Sequence, residues 1–172
     1  MARGLEPPSA RRRSLAFLAR FCALLLLLYV AVALRPVNDA VVLPFTGLIA
    51  RSSGAILNAF GETVTVEGTE LRSPAFAVRI ENGCNGLETV LLFASAVLAF
   101  PAPWKKRLAG LALGFAAIEL VNLFRVLTLF WIGAHRPALF SASHTVLWQS
   151  VIVLFGVLLF LLWAPRRAQA GR

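Results

Sequence analysis

One cysteine and one histidine of this chain each stand at the start of an apolar segment. Cys84 lies in NGCNG, directly before the run 86–101, and His144 lies in SASHTVLW, directly before the run 145–163. A thiol and an imidazole form a nucleophile and base pair when the imidazole can take the thiol proton. The second cysteine, Cys22, lies inside an apolar run and is interpreted as a small filler. Cys84 and His144 are therefore the first candidates for chemistry.

The residues around Cys84 are typical of a helix start. Asn85 is predicted to cap the helix that follows, with Glu88 at the capping-box position. A thiol beside a helix N-terminus feels the positive end of the dipole, which favours a lowered pKa, and free N–H groups of the first turn can receive an oxyanion. A serine before His144 is predicted to cap its helix, where the dipole favours the neutral imidazole that a general base needs.

Arg125 lies within a third apolar run, 108–133, which also carries Glu119 and Asn122. A charge inside a membrane span is costly and normally faces protein or water. An inward-facing guanidinium there could hold an oxyanion. The alternative is an ion pair with Glu119 or Glu88 that serves only packing. Glu119 and Asn122 are interpreted as polar contacts between helices.

The composition indicates a membrane protein. The 172 residues are 59% hydrophobic, above the range of ordinary soluble domains. The net charge of +9 could indicate nucleic acid binding, but the basic residues form short clusters beside apolar runs, which is the membrane pattern. We therefore expect contact with membrane lipids and no nucleic acid partner.

The predicted fold class is an all-α integral membrane protein with about four transmembrane helices, an interfacial helix and a small β-like segment at the outer face. The membrane domain covers 14–165 between basic tails at 1–13, expected to be disordered, and 166–172. Its predicted spans are 14–34, 85–101, 108–133 and 145–163. The outer-face region 35–83 contains the interrupted run 40–60, which suits a helix at the membrane surface, and 61–80, whose period of two predicts short antiparallel strands.

The basic clusters predict the orientation. Arginines precede the first span, Lys105, Lys106 and Arg107 separate the second from the third, and Arg166 and Arg167 follow the fourth. Four spans place all of these clusters on one side, which should be cytoplasmic. Both termini are then expected in the cytoplasm, and Cys84 and His144 at the outer face.

Three separated motifs carry a resemblance. NGCNGLETVLLF, ELVNLFRVLTLFW and SHTVLWQ, in this order and spacing, resemble the exosortase/archaeosortase family of multi-pass membrane cysteine transpeptidases over about residues 80–155. The chain has fewer spans before the cysteine motif than the longer exosortases and is more similar to compact subtypes such as exosortase H. The resemblance implies Cys84 as nucleophile, Arg125 as the intramembrane arginine and His144 as the third member. A histidine at this position favours a bacterial exosortase.

The resemblance also implies a substrate class and a location. Family substrates are membrane-anchored proteins with a C-terminal motif, a helix and a basic tail, which are cut at the outer face and passed to an acceptor that the sequence does not identify. The expected location is the bacterial cytoplasmic (inner) membrane, with the active site facing the periplasm or exterior. No cofactor and no metal are expected. Asn85, Glu88 and Asn122 are predicted to bind substrate or support the site, and segment 61–80 is a candidate for pairing with an extended substrate.

Two other classes of function fit parts of this pattern. The chain could be a non-enzymatic membrane adaptor whose intramembrane polar residues only hold helices together. It could also be a small transporter in which Glu119, Asn122 and Arg125 line a solute path. Neither explains a cysteine and a histidine at the outer ends of two helices.

Overall fold

The computed structural model describes the backbone of residues 10–164 and the side chains of residues 11–164, so most of both predicted tails lies outside the described residues. The described chain forms helices and a small sheet. The helices are α1 (Ala10–Ala33), α2 (Arg35–Ala59), α3 (Leu87–Ala99), α4 (Trp104–His135) and α5 (Pro137–Trp163). Short π-helical stretches interrupt α2 at Asn38–Val42 and α5 at Ser143–Trp148. The predicted class, an all-α membrane protein with a small β segment, is confirmed.

Four of the described helices are long and apolar enough to cross a membrane, namely α1, α2, α4 and α5. The number of long apolar helices agrees with the prediction, but two of the assignments differ. The predicted span 85–101 contains α3, whose 13 residues extend for about 20 Å, whereas a bilayer core is about 30 Å thick. The interrupted run 40–60, predicted to be a surface helix, lies within the longer helix α2 except for its last residue.

The contacts of α2 indicate where it lies. Near its start, Asn38 accepts a hydrogen bond from Asn82, beside Cys84 (2.9 Å). Just after its end, Glu62 lies 3.8 Å from His135 at the end of α4. Both ends of α2 therefore contact the half of the bundle that contains Cys84, which favours the predicted surface position over a full crossing. That position stays a prediction.

Helix α3 is the centre of the bundle and contacts α1, α4 and α5. Its buried Phe93 and Val97 pack with Ile118 of α4. At the opposite end from Cys84, the Trp163 indole donates to the backbone carbonyl of Lys106 (3.3 Å). The two helix ends that carry basic clusters within the described residues, the starts of α1 and α4, lie at this second end, where Phe17 of α1 contacts Phe100.

The predicted strands form one antiparallel sheet in the order β1 (Thr65–Glu67), β2 (Glu70–Arg72), β3 (Ala77–Arg79). The alternating apolar side chains turn inward, as the period of two predicts. Leu71 and Ile80 are buried against Val126 and Phe130 of α4. The sheet therefore covers the C-terminal half of α4, and β3 is the edge strand beside α5, since Phe76 contacts Phe140 there (5.2 Å between ring centroids).

Candidate active site

The three residues singled out for chemistry come together in the structure. Cys84 Sγ lies 3.0 Å from His144 Nε2. Arg125 Nη2 donates to the same sulfur at 3.9 Å. The cysteine comes from the loop before α3, the arginine from α4 and the histidine from α5, so the sulfur lies where three separate elements meet. A thiol, an imidazole and a guanidinium therefore meet at one point.

The glycines of NGCNG shape the loop that presents Cys84. Gly83 (φ +90°) and Gly86 (φ +80°) adopt left-handed backbone conformations, which side chains rarely allow. A Cβ on Gly86 would also lie 2.8 Å from Glu119 Oε1 and 2.9 Å from Asn122 Cγ. The loop therefore lies directly against α4, and the motif needs glycine on both sides of the cysteine.

The Asn85 side chain anchors this loop to α2. Its side chain is almost fully buried (1% exposed), accepts a hydrogen bond from the Leu87 backbone (3.1 Å) and donates to Thr46 Oγ1 of α2 (2.9 Å). Asn85 therefore satisfies an N–H of the first turn, but the predicted cap position is wrong by one residue, because Gly86 is the residue that caps the helix. Thr46 was not singled out from the sequence, because its partner is 39 residues away.

Glu88 makes neither of the two interactions that the sequence analysis considered for it within the described residues. Within residues 11–164 it forms neither a hydrogen bond to the Asn85 backbone nor an ion pair with Arg125, so the capping box and the packing pair are both absent there. Its half-buried carboxylate instead lines a separate cavity of about 170 Å³ between α1 and α3, together with Tyr29 and Asn82. Its predicted supporting role stays a prediction.

The π-helical stretch of α5 aims His144 at the sulfur. In a regular α-helix, residues five apart point about 140° away from each other. The wider π turn over Ser143–Trp148 instead lets His144 and Gln149, five positions later, both face the site. Gln149 Oε1 accepts a hydrogen bond from Arg125 Nη2 (3.4 Å), and the Phe140 ring stacks on the His144 ring (5.7 Å between centroids). Sequence reasoning missed Gln149, because a π turn has no plain sequence signal.

Arg125 is buried, with 2% of its surface exposed. Its Nη2 contacts Gln149 and Cys84, while its Nε has no hydrogen-bond partner in the described part of the chain. No ion pair joins it to Glu119 there, so neither of the predicted packing pairs forms. The guanidinium is thus held beside the thiol with part of its donor capacity unused.

Asn122 and Glu119 are two further polar residues of α4 near the site. Asn122 is fully buried, and neither its side chain nor the Glu119 carboxylate has a hydrogen-bond partner by geometry among residues 11–164. Both side chains lie against Gly86, so they contact the loop that carries Cys84. This placement agrees with a supporting position for Asn122, whose role stays a prediction.

Burial sets the protonation of the thiol. Removal from water raises the pKa of Cys84 above its ordinary value, and the nearby positive charge of Arg125 only partly opposes this. The sequence predicted a lowered pKa from the helix dipole, and that direction is wrong, because the half-buried sulfur loses more from desolvation than it gains from positive neighbours. The thiol therefore needs a base in order to react at neutral pH.

A small cavity of about 30 Å³ adjoins the sulfur. That volume holds a water molecule or a single carbonyl group rather than a whole residue. Its walls come from three sources: β3 and the residue after it, the site itself, and the apolar surfaces of α4 and α5 (Val78, Arg79, Ile80, Cys84, Arg125, Val126, Leu129, Phe140 and His144). Among the described residues, no group of three His, Cys, Asp or Glu side chains is arranged to hold a metal ion.

These features define a multi-pass membrane protein with a thiol, an imidazole and a guanidinium gathered at one end of its helices. The family model of transmembrane exosortases (Exosortase_EpsH) matches residues 10–164. The chain therefore belongs to the transmembrane exosortase family, and the resemblance seen in the three motifs is confirmed. No curated protein and no solved structure matches the chain.

Proposed function

We propose that this chain is a membrane-embedded cysteine transpeptidase that cleaves the C-terminal sorting signals of exported proteins and transfers those proteins to an acceptor. The observation that carries the proposal is the 3.0 Å approach of Cys84 Sγ to His144 Nε2, with Arg125 donating to the same sulfur. Membership of the exosortase family supports a transpeptidase of sorting signals in general.

The first half of the reaction forms a thioester. With its ring proton on Nδ1, His144 accepts the thiol proton at Nε2 while Cys84 Sγ attacks the substrate carbonyl carbon. The negative charge that develops on the carbonyl oxygen is stabilised by the Arg125 guanidinium. The intermediate then expels the amine of the C-terminal fragment, which takes the proton from His144, and an acyl group remains on the sulfur.

The second half releases the protein. An acceptor amine gives a proton to His144 and attacks the thioester carbonyl, which regenerates the thiol, and water in place of the amine gives hydrolysis. Because burial raises the pKa of the thiol, we assign the transfer of its proton to the same step as the attack. His144 is therefore the base at each attack and the acid at each collapse of the tetrahedral intermediate.

The proposed location is the bacterial cytoplasmic (inner) membrane, with the site at the outer face and both termini in the cytoplasm. The basic clusters at the starts of α1 and α4 support this orientation, because they lie at the end of the bundle opposite Cys84, and basic residues favour the cytoplasmic side. The proposed substrates are membrane-anchored proteins with a C-terminal motif, a helix and a basic tail.

The test uses a host protein that carries such a tail, co-expressed with the enzyme and monitored for loss of the tail by mass spectrometry. Cys84→Ala should abolish cleavage and leave membrane abundance unchanged, and Cys84→Ser should be severely impaired because a hydroxyl is the weaker nucleophile. Cys22→Ala is the matched control, since Cys22 lies in α1 and faces outward. Normal cleavage by Cys84→Ala would eliminate the cysteine mechanism.

A further inference from the structure

The edge strand β3 ends in the wall of the catalytic cavity. Val78 and Arg79 of the strand and Ile80 just after it line the same small space as Cys84 and His144. No strand of the described chain pairs with the other side of β3. A sheet edge beside a nucleophile is a template for an extended peptide.

The hydrogen bonds of the sheet decide which backbone groups of β3 are free. On the β2 side, the Phe76 carbonyl accepts from the Ser73 N–H (2.8 Å) and the Ile80 N–H donates to the Thr69 carbonyl (2.9 Å). Backbone groups of alternate residues in a strand point to opposite sides. Ala77 and Arg79, between these two, therefore point their N–H and C=O groups away from β2, and no hydrogen bond from another element reaches them within residues 11–164.

We propose that β3 binds the substrate by strand addition, with an extended segment of the sorting signal paired to the backbone of Ala77 and Arg79. This inference rests on the proposed function and adds how the substrate is held. Both residues are exposed, and the two of them offer up to four backbone hydrogen bonds. A peptide held along this edge passes over the cavity, which is large enough for one carbonyl group.

Strand addition explains how an enzyme with so small a cavity positions one peptide bond. Pairing fixes the register of the peptide against β3, so the same carbonyl faces the Cys84 sulfur each time. The backbone of the peptide supplies affinity, and its alternate side chains face the sheet edge or the helices α4 and α5. Sequence preference then comes from the side chains of the signal that face the protein.

Proline substitution tests this pairing, because proline removes an N–H and is tolerated at an outward position of an edge strand. Ala77→Pro and Arg79→Pro should each lower kcat/KM for tail cleavage about five- to tenfold through loss of one backbone hydrogen bond. Thr63→Pro is the matched control: it is exposed, precedes β1 and makes no backbone hydrogen bond within the described residues. It should cleave at the wild-type rate.

Two further measurements separate pairing from other causes. Arg79→Ala keeps the amide and should lose less activity than Arg79→Pro, so equal losses would assign the effect to the guanidinium and overturn the proposal. Alkylation of Cys84 by iodoacetamide needs no peptide, and its unchanged rate in both proline variants would show that the site is intact. Wild-type cleavage by both proline variants would remove strand addition while leaving the proposed transpeptidase standing.

If a proline variant alters Cys84 alkylation or abundance, N-methylation of the peptide decides the question. Synthetic peptides spanning the cleaved bond, methylated at successive backbone nitrogens, should lose activity at every second position, because alternate amides face the strand. Loss at every position, or at none, would overturn the pairing. Absence of any Cys84-dependent cleavage by the unaltered enzyme would instead refute the proposed function, and strand addition with it.

Discussion

Replacement of Arg125 by lysine separates a catalytic guanidinium from a structural one. Arg125 is 2% exposed, and Arg125→Lys keeps a positive charge at this buried position, so insertion and folding should be retained. The lysine has one nitrogen on a flexible stem, whereas Arg125 Nη2 contacts Gln149 at 3.4 Å and the Cys84 sulfur at 3.9 Å within a rigid fork. We therefore expect substrate binding to persist while turnover falls.

The size of the loss follows from the proposed role. Removal of one donor to an oxyanion costs about 100- to 1000-fold in kcat in other acyl-transfer enzymes. A role confined to packing would show instead as reduced abundance with normal turnover per molecule. The assay is tail cleavage at saturating substrate, normalised to enzyme in the membrane, and Arg20→Lys in α1 is the control, because Arg20 does not line the cavity.

A double replacement tests the competing explanation directly. If Arg125 served only to neutralise Glu88, then Arg125→Gln with Glu88→Gln would remove both charges together and restore function. The two side chains form no ion pair in the described structure, so we expect the double variant to stay inactive. Recovered cleavage at normal abundance would refute the catalytic role and leave Cys84 and His144 as the only candidates.

Three further predictions concern the loop, the thiol and the topology. Gly86→Ala should lower the free energy of unfolding by about 2–5 kcal/mol, because alanine is strained in the left-handed conformation and its Cβ would lie under 3 Å from Glu119 and Asn122. An unchanged thermal unfolding midpoint would mean that the loop relaxes freely. Because burial raises the pKa of Cys84, alkylation of Cys84 in a Cys22→Ala background should reach half its maximal rate at a higher pH than a free cysteine thiol in the same assay, and a midpoint below that of the free thiol would contradict the burial argument. Reporter fusions at residue 70 and at the C-terminus should report opposite sides of the membrane, and a cytoplasmic signal at residue 70 would reverse the proposed orientation.

Depth along the helices was predictable from the sequence. Cys84 and His144 stand at apolar boundaries, and the position of Arg125 within its run places it at a similar level. Apolar run lengths therefore predicted that the three residues lie near the same end of the helices, without any knowledge of packing. The direct contacts at 3.0 and 3.9 Å depend on how the helices are rotated about their axes, which run lengths do not specify.

The remaining features depend on tertiary structure. Gln149 faces the site because of a π turn, and Thr46 holds Asn85 across 39 residues of chain. The direction of the Cys84 pKa was wrong because a local argument from the helix dipole omits the burial that the sheet and α4 impose. The run 40–60 was predicted to be a separate interrupted helix, whereas α2 begins five residues earlier at Arg35 and includes Pro44 and Arg51 in its α-helical part.

The raised thiol pKa and the short sulfur–imidazole distance together describe how the proposed reaction is controlled. A preformed thiolate would react with any electrophile that reached it, whereas a neutral thiol beside a neutral imidazole reacts only when a bound carbonyl accepts the sulfur as the proton leaves. In the proposed reaction the buried Arg125 would contribute most at that same moment, because it lines the cavity in which the negative charge would develop and that charge exists only during attack. A substrate strand held beside β3 would deliver that carbonyl to the cavity. Reactivity would then depend on correct docking of the signal rather than on a permanently reactive cysteine.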